Sequence, residues 1–257
     1  MPIAMITPDA PSAMPASGFY ILFAGGARPN LASVLELADT GAGFAVVHED
    51  AGQGLAELLQ HGLSFDLTGL APWEGVAAPA IAHPFGLAVQ GIPQGEWVVL
   101  RPGAHLSGGH HLLPVMRAMV ELALALLALP QARALCWAPA RTVMAPDYAR
   151  HVLAPWLAGG AFPALGLTAL GQAGDSSFAS TGMEFFTGQE LRITPSVAPD
   201  WARAAPIAFH LIHRLVSQGG EVSSPIEVAG PQGEPLLLQP MADGREIWVQ
   251  SAKENGL

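Results

Sequence analysis

The chain has 257 residues, of which 51% are hydrophobic and only 12% charged, and its formal net charge is −10. This length is enough for a large core in one or two domains. The basic residues are scattered without a basic patch, which argues against nucleic acid or an anionic membrane as a partner. The most apolar stretch, Leu112–Leu129, contains Pro114, Arg117 and Glu121 and is therefore not predicted to span a membrane. We expect a cytoplasmic protein.

Proline and glycine divide the chain into three predicted parts. Four prolines and little periodicity predict a flexible tail over residues 1–17. Glycine and proline cluster again between Arg101 and Gly109, which predicts a boundary between two lobes. The prediction is an N-terminal α/β lobe over residues 18–104 and a C-terminal α+β lobe over residues 105–257.

The first lobe is predicted to open with a β-α-β unit. A continuous apolar run ended by two glycines is typical of a buried strand, and apolar spacings of three and four are typical of a helix. The predicted elements are strand Gly18–Ala24, helix Pro29–Thr40, strand Phe44–Val47, helix Gly54–His61, and strands Leu63–Leu67, Phe85–Gln90 and Glu96–Leu100.

The second lobe is predicted around its longest helix, which is apolar except for one narrow polar stripe and should be buried on most sides. The predicted elements are helix His110–Leu129, strand Arg133–Trp137, helix Pro146–Ala158, strand Phe162–Leu170, hairpin Ala179–Phe186 with Gln189–Thr194, helix Pro199–Gln218, and hairpin Glu234–Gln239 with Glu246–Gln250. Hairpins in both halves indicate an α+β fold with mixed, mostly antiparallel sheets packed against helices, in one or two lobes.

Several polar residues flank these elements and are candidates for chemistry. His48 and Asp50 follow a predicted strand, where functional residues are common, although a polar turn is the alternative. His110 opens the long helix after two glycines, where free N–H groups can hold an anion, although an ordinary turn between the lobes is the favoured alternative. Glu184 and Glu190 flank the hairpin turn as a possible acid–base pair, the alternative being an exposed sheet face. The catalytic candidates are His48, Asp50, His110 and Glu184.

No metal or cofactor site is predicted. Cys136 is the single cysteine and lies in an apolar run, so a buried, inert thiol is expected. His210 and His213 are three residues apart on one helix face, but no third ligand completes a metal set. A GxSxG nucleophile motif is absent from the sequence, and Asp175-Ser176-Ser177 is interpreted as a polar loop.

The segment STGMEFFTGQELRI, residues 180–193, resembles an uncharacterised bacterial family described as domain of unknown function 4261. That family has a strand of the pattern T-x-G-L-x-x-F-G-x-P-E-[IL]-x-[IL] before a helix. Met183 stands for the family's Leu, Thr187 is inserted, and Gln189 replaces Pro. A segment from Ala134 to Tyr148 also resembles the family, and the likeness covers about residues 85–221. The family has no assigned activity, so the resemblance implies no functional residues.

The function expected from these observations is a noncatalytic binding or protein-interaction module of a bacterial cytoplasm. The alternative is a hydrolase-type enzyme whose histidines and carboxylates are assembled by the fold. So few charges also predict an exposed apolar surface and a homodimer, with the strand Glu246–Gln250 as one possible pairing edge. A pocket that gathers two or more of six residues would favour the enzyme. The six are His48, Asp50, His83, His105, His110 and Glu184.

Overall fold

The computed structural model describes residues 17–88 and 91–252, so the predicted flexible tail lies outside the described residues except for Ser17. The helices are α1 Leu31–Asp39, α2 Leu113–Leu126, α3 Pro146–Leu157, α4 Ala164–Leu167, α5 Glu184–Thr187 and α6 Trp201–Gln218. The strands of the first sheet are β1 Phe19–Phe23, β2 Ala45–Asp50, β3 Leu55–Gln60, β4 Leu63–Thr68, β5 His83–Phe85, β6 Glu96–Pro102, β7 Ala132–Trp137 and β8 Thr142–Met144. Those of the second are β9 Ala169–Gln172, β10 Phe178–Thr181, β11 Glu190–Ile193, β12 Ile226–Ala229, β13 Pro235–Pro240 and β14 Glu246–Ser251.

The two sheets are mixed and mostly antiparallel, which confirms the predicted α+β fold. The first has the order β2-β3-β4-β6-β1-β7-β8-β5, in which only the pair of β5 with β8 is parallel. The second has the order β12-β13-β14-β11-β10-β9, in which only β11 with β14 is parallel. The predicted lobe boundary at residues 104 and 105 falls within the chain span of the first sheet, because β7 and β8 come after it.

One apolar core joins both sheets to the helices. Helix α2 packs on the face of the first sheet formed by β1, β3, β4 and β6. Met116, Met119 and Leu126 of this helix are almost completely buried. The opposite face carries a smaller cluster around Leu22, Val99 and Cys136, covered by Val76, Ile81 and Leu87. Burying a large apolar side chain stabilises the folded state by about 1.5 to 3 kcal/mol. The buried side chains of α2 therefore make this helix the main apolar support of the fold.

The predicted helix Gly54–His61 is wrong, because this segment is strand β3, paired with β2 and β4. Its leucines at spacings of three and four imitate a helix. In the structure Ala56, Leu58 and Gln60 are buried in alternation, as expected of a strand with one face on the core. Tertiary pairing has overridden a local pattern that fits both structures.

Residues 162–194 also differ from the prediction. The predicted strand Phe162–Leu170 is instead the irregular turn α4 followed by β9. Strands β10 and β11 pair antiparallel as predicted, with Phe178 opposite Ile193. However, β10 ends at Thr181, and a single helical turn, α5, replaces the second half of the predicted strand. Nearby, β5 is short and ends at Phe85, while Val89 and Gln90 of the strand predicted there lie outside the described residues.

The suggested pairing edge at the last strand is wrong. β14 lies between β13 and β11 and is hydrogen-bonded on both sides, so it has no free edge for a second copy. The polar stripe of α2 is partly covered by α3. Arg117 lies over the Trp156 ring at 4.5 Å and donates a hydrogen bond to the Trp156 carbonyl at 2.5 Å. Within residues 17–88 and 91–252, no helix combines the length and hydropathy needed to cross a bilayer.

Candidate functional site

A cleft of about 460 Å³ lies where the start of α2, the turn α5 and the end of α6 meet. Its walls are mainly apolar and include Leu112, Leu113 and Val216, with the aromatic rings of Phe185 and Phe186. Its polar side chains are Glu184, Glu221, His111 and Thr187. An apolar cleft of this size with a few convergent polar groups is the usual form of a small-molecule site.

The α5 wall of the cleft is held by a carboxylate beneath it. Glu190 accepts hydrogen bonds from the backbone N–H groups of Gly182 at 2.6 Å, Met183 at 3.2 Å and Glu184 at 3.2 Å, and a short one from the Ser180 hydroxyl. These N–H groups belong to the start of the helical turn and have no partner within it. Burial raises the pKa of Glu190, and the four hydrogen bonds oppose that shift. The Glu190 carboxylate therefore caps the start of α5.

The third wall of the cleft is formed by the end of α6 and residues 219–221. Gln189, which follows α5, ties this wall to the α5 wall. Its side-chain amide donates to the carbonyls of Val222 at 3.3 Å and Gly244 at 3.0 Å, and its oxygen accepts from Val222 N–H at 2.7 Å. Gln189 is buried with all these groups satisfied. It fixes the chain directly after Glu221, so the residues after α6 keep a defined position beside α5.

Aromatic contacts connect the cleft to His110. The His110 ring lies edge-on to Phe185 with 5.3 Å between centroids, and Phe185 also contacts Trp137 at 5.0 Å. His110 Nδ1 lies 2.7 Å from the Ser107 carbonyl, which can only accept, so Nδ1 is the donor of this hydrogen bond. His110 itself does not line the cleft, whereas its neighbour His111 does.

A second polar group lies on the first sheet, on the face opposite α2. The strand register places His48 opposite Glu57, Glu57 opposite Asp66, and Asp66 opposite Arg101. We call these four residues the charged row. Directly opposed side chains share one face and lie close together. Arg101 donates to the Tyr20 hydroxyl at 3.0 Å, and among the described residues it is the one member of the row whose side chain has a hydrogen-bond partner.

The surroundings of Asp66 in the charged row shift the pKa of its carboxyl group. Partial burial, and to a smaller extent the charge of Glu57, raise the pKa of Asp66, while His105 opposes this shift. In the part of the chain that the structure describes, no donor is hydrogen-bonded to the Asp66 carboxylate. Paired carboxylates with a raised pKa are typical of acid–base sites, although structural ion clusters produce the same effect.

The four catalytic candidates separate into two places. His48 and Asp50 lie on the edge strand β2, where His48 is exposed and belongs to the charged row. Glu184 is exposed in the cleft, and His110 reaches the cleft only through Phe185. Of the six residues that would indicate an enzyme pocket, the cleft therefore gathers one, Glu184. The alternative that Glu190 lies on an exposed sheet face is wrong, since its residue is half-buried and its carboxylate accepts four hydrogen bonds.

Three of the other histidines are engaged within the protein, His61 by the Glu121 carboxylate at 2.6 Å and two by backbone groups. His213 Nδ1 accepts from the Phe162 N–H at 3.1 Å, and His210 Nε2 lies 3.2 Å from the Ala229 carbonyl. Burial, with a smaller effect of Arg141, lowers the pKa of His83. Among the described residues, no group of three or more His, Cys, Asp or Glu is placed to hold a metal ion.

Cys136 is completely buried on β7. Burial raises the pKa of its thiol to about 12, so the thiolate needed for nucleophilic attack is suppressed at neutral pH.

Sequence reasoning missed three features of these sites. The cleft residue Glu221 follows a glycine pair and carried no motif signal. Glu57 would have been placed beside His48 and Asp66 if the segment around it had been recognised as a strand, because alternation then fixes the face. Glu190 follows Gly188 and Gln189, and nothing local reveals that its carboxylate turns back to residues 182–184.

The fold and the cleft thus define an α+β protein with a small-molecule-sized apolar site. Comparison with known proteins identifies no relative: the chain matches no family model, no curated protein and no solved structure.

Proposed function

We propose that this protein is a noncatalytic binding module whose cleft takes a small ligand with an apolar body. The observation that carries the proposal is the cleft itself, walled by α2, α5 and α6. Its polar side chains lack the paired base and nucleophile that a reaction would need. The nearest acid–base candidates, Glu190 and His110, are engaged by backbone donors and a backbone carbonyl respectively. The resemblance to domain of unknown function 4261 and a bacterial, cytoplasmic setting are part of the same proposal.

The test uses a neutral apolar dye, Nile red, whose fluorescence rises on transfer to an apolar site. We expect saturable binding to the wild-type protein that weakens several-fold in Leu112→Ser, because Leu112 is an exposed wall residue of the cleft. Met241→Ser is the matched control, since Met241 is an exposed apolar residue that does not line the cleft. Equal binding by all three proteins, or by none, contradicts the proposal.

We also propose that the protein forms a homodimer. Large apolar side chains are exposed on several elements, among them Leu35, Val47, Leu59 and Ile226. Burying such area in a twofold interface removes it from water, and the net charge of −10 opposes this only over about 8 Å at physiological salt. Light scattering at micromolar concentration measures the mass directly. A mass near 26.7 kDa throughout a dilution series contradicts the dimer.

The alternative function, a hydrolase-type enzyme, is favoured by the charged row rather than by the cleft. The adjacent carboxylates of Glu57 and Asp66 between His48 and Arg101 resemble an acid–base arrangement. A panel of model esters, glycosides and phosphate esters tests it. Hydrolysis by wild type that is lost in both Glu57→Gln and Asp66→Asn supports the enzyme, whereas hydrolysis that persists in these variants contradicts this site.

A further inference from the structure

We propose that the ligand of the cleft is a small organic cation with an apolar body, an inference that rests on the proposed binding function. Two lining residues, Glu184 and Glu221, are carboxylates, and neither lysine nor arginine is among the residues that line the cleft. Both glutamates are exposed. The negative net charge of the whole chain also favours the approach of a cation.

These two carboxylates are free, unlike others in the second half of the chain. Glu190 is engaged by four donors, and Glu246 is bonded by Arg192 at 2.9 Å and by the Trp248 indole at 2.9 Å. In contrast, within the described residues the carboxylates of Glu184 and Glu221 have no hydrogen-bond donor and no ion pair. Glu221 also lies directly over Gly188, whose missing side chain leaves room for its carboxylate. Their charge is therefore available to a ligand.

The other electrostatic features of the cleft do not reverse this preference. The start of α2 contributes about half a positive charge and the end of α6 about half a negative charge, so the two helix ends offset each other. The faces of aromatic rings attract cations, and Phe185 and Phe186 both line the cleft. His111 is the one side chain of the lining that can carry a positive charge, against the two carboxylates.

Volume selects a small molecule over a peptide segment. The cleft encloses about 460 Å³, within the range of roughly 300 to 1,000 Å³ that is typical for small-molecule sites. An extended peptide would need a longer groove or a free strand edge, and the cleft is bounded by helices on its three sides.

The experiment compares three probes of nearly equal shape: 3-phenylpropylammonium, 3-phenyl-1-propanol and 3-phenylpropionate. Titration followed by NMR or calorimetry at low salt is expected to give an order of affinity ammonium, alcohol, carboxylate. The ammonium should bind about three to ten times more tightly than the alcohol, as expected for partly solvated charge pairs. This ratio should fall as salt is added, because exposed charges are screened.

Charge variants assign the preference to residues. Glu184→Gln and Glu221→Gln should each reduce the ammonium-to-alcohol ratio, and the double variant should bring it close to one without weakening the alcohol. Glu227→Gln is the matched control, an exposed glutamate on β12 away from the cleft. A wild-type ammonium-to-alcohol ratio of one overturns the cation proposal, and so does a ratio that is unchanged in the double variant. In either case, binding of the alcohol leaves the proposed function intact. Failure of all three probes overturns both, and tighter binding of a lysine-containing hexapeptide than of the ammonium overturns the small-molecule assignment.

Discussion

The α2 wall and the α5 wall meet at the same cleft but are held by different forces. Helix α2 starts without a side-chain cap and is fixed by apolar residues along most of its length. Turn α5 has only four residues and is fixed by the Glu190 carboxylate below it and by Gln189 beside it. Apolar burial is non-directional and scales with the area and volume that are buried, whereas a capped turn depends on a few directional bonds. We therefore expect α2 to respond to lost volume and α5 to lost polar atoms.

The largest expected effect comes from the α2 wall. Leu126→Ala removes a nearly completely buried side chain and leaves a cavity, so we expect a loss of about 2 to 5 kcal/mol in the free energy of unfolding. Urea denaturation measures it. Leu112→Ala, at the exposed start of the same helix, is the control and should cost under about 1 kcal/mol. A loss for Leu126→Ala as small as that of the control would show that α2 is not the main apolar support.

The α5 wall should respond to removal of its cap. Glu190→Ala leaves three backbone N–H groups and the Ser180 hydroxyl without their acceptor, and we expect a loss of about 2 to 4 kcal/mol. Glu184→Ala removes the neighbouring exposed carboxylate and should change stability by less than about 0.5 kcal/mol. Denaturant unfolding of both variants decides the point. Equal stabilities would mean that apolar packing holds α5 as it holds α2.

A backbone position sharpens the same contrast. Gly182 has φ of 90°, and a Cβ there would lie 2.6 Å from the Ala140 side chain and 2.7 Å from its Cα. Gly26 has a similar positive φ of 72° but nothing within 4 Å of such a Cβ. Gly182→Ala should therefore cost about 1 to 3 kcal/mol more than Gly26→Ala, since only the former adds overpacking to the strain. Thermal or urea unfolding compares them, and equal losses would show that residue 140 moves away freely.

The smallest expected effect concerns Asp66, a carboxyl without the donors that Glu190 has. Because its pKa is raised, the folded protein holds this proton more tightly than the unfolded chain, so its contribution to stability is present at low pH. That contribution is lost as the pH rises from the ordinary carboxyl pKa to the raised one. Asp66→Asn should remove this loss, so that stability at the upper end of the acidic range improves relative to the lower end, by under about 1 kcal/mol because the group is partly exposed.

Unfolding measured across the acidic range tests Asp66→Asn against Asp39→Asn, a control at an exposed position on α1. An unchanged slope in Asp66→Asn would show that Glu57 and burial do not affect this carboxyl in solution.

The α2 wall and the α5 wall also differ in how well the sequence predicts them. The α2 segment was predicted from its apolar spacing, although three residues too long at each end, because proximity to a core leaves a clear mark on composition. Residues 184–186 of α5 are predicted as the end of a strand, because Phe185 and Phe186 favour strands and the capping Glu190 follows later in the chain. His48 and Glu184 were chosen for local reasons, and the fold placed them in different sites. The sequence does not predict the charged row, because the apolar spacing of β3 also fits a helix.

The sequence by itself determined the α+β class, the buried β1 and α2, the pairing of β10 with β11 and of β13 with β14, and a surface poor in charge. Each of these depends on local periodicity or composition. Only the tertiary structure decided that β7 and β8 extend the first sheet, that β11 runs parallel to β14, and that two free glutamates share an apolar cleft. Those features depend on contacts between residues far apart in the chain. No local pattern encodes which distant partner a strand or carboxylate will meet.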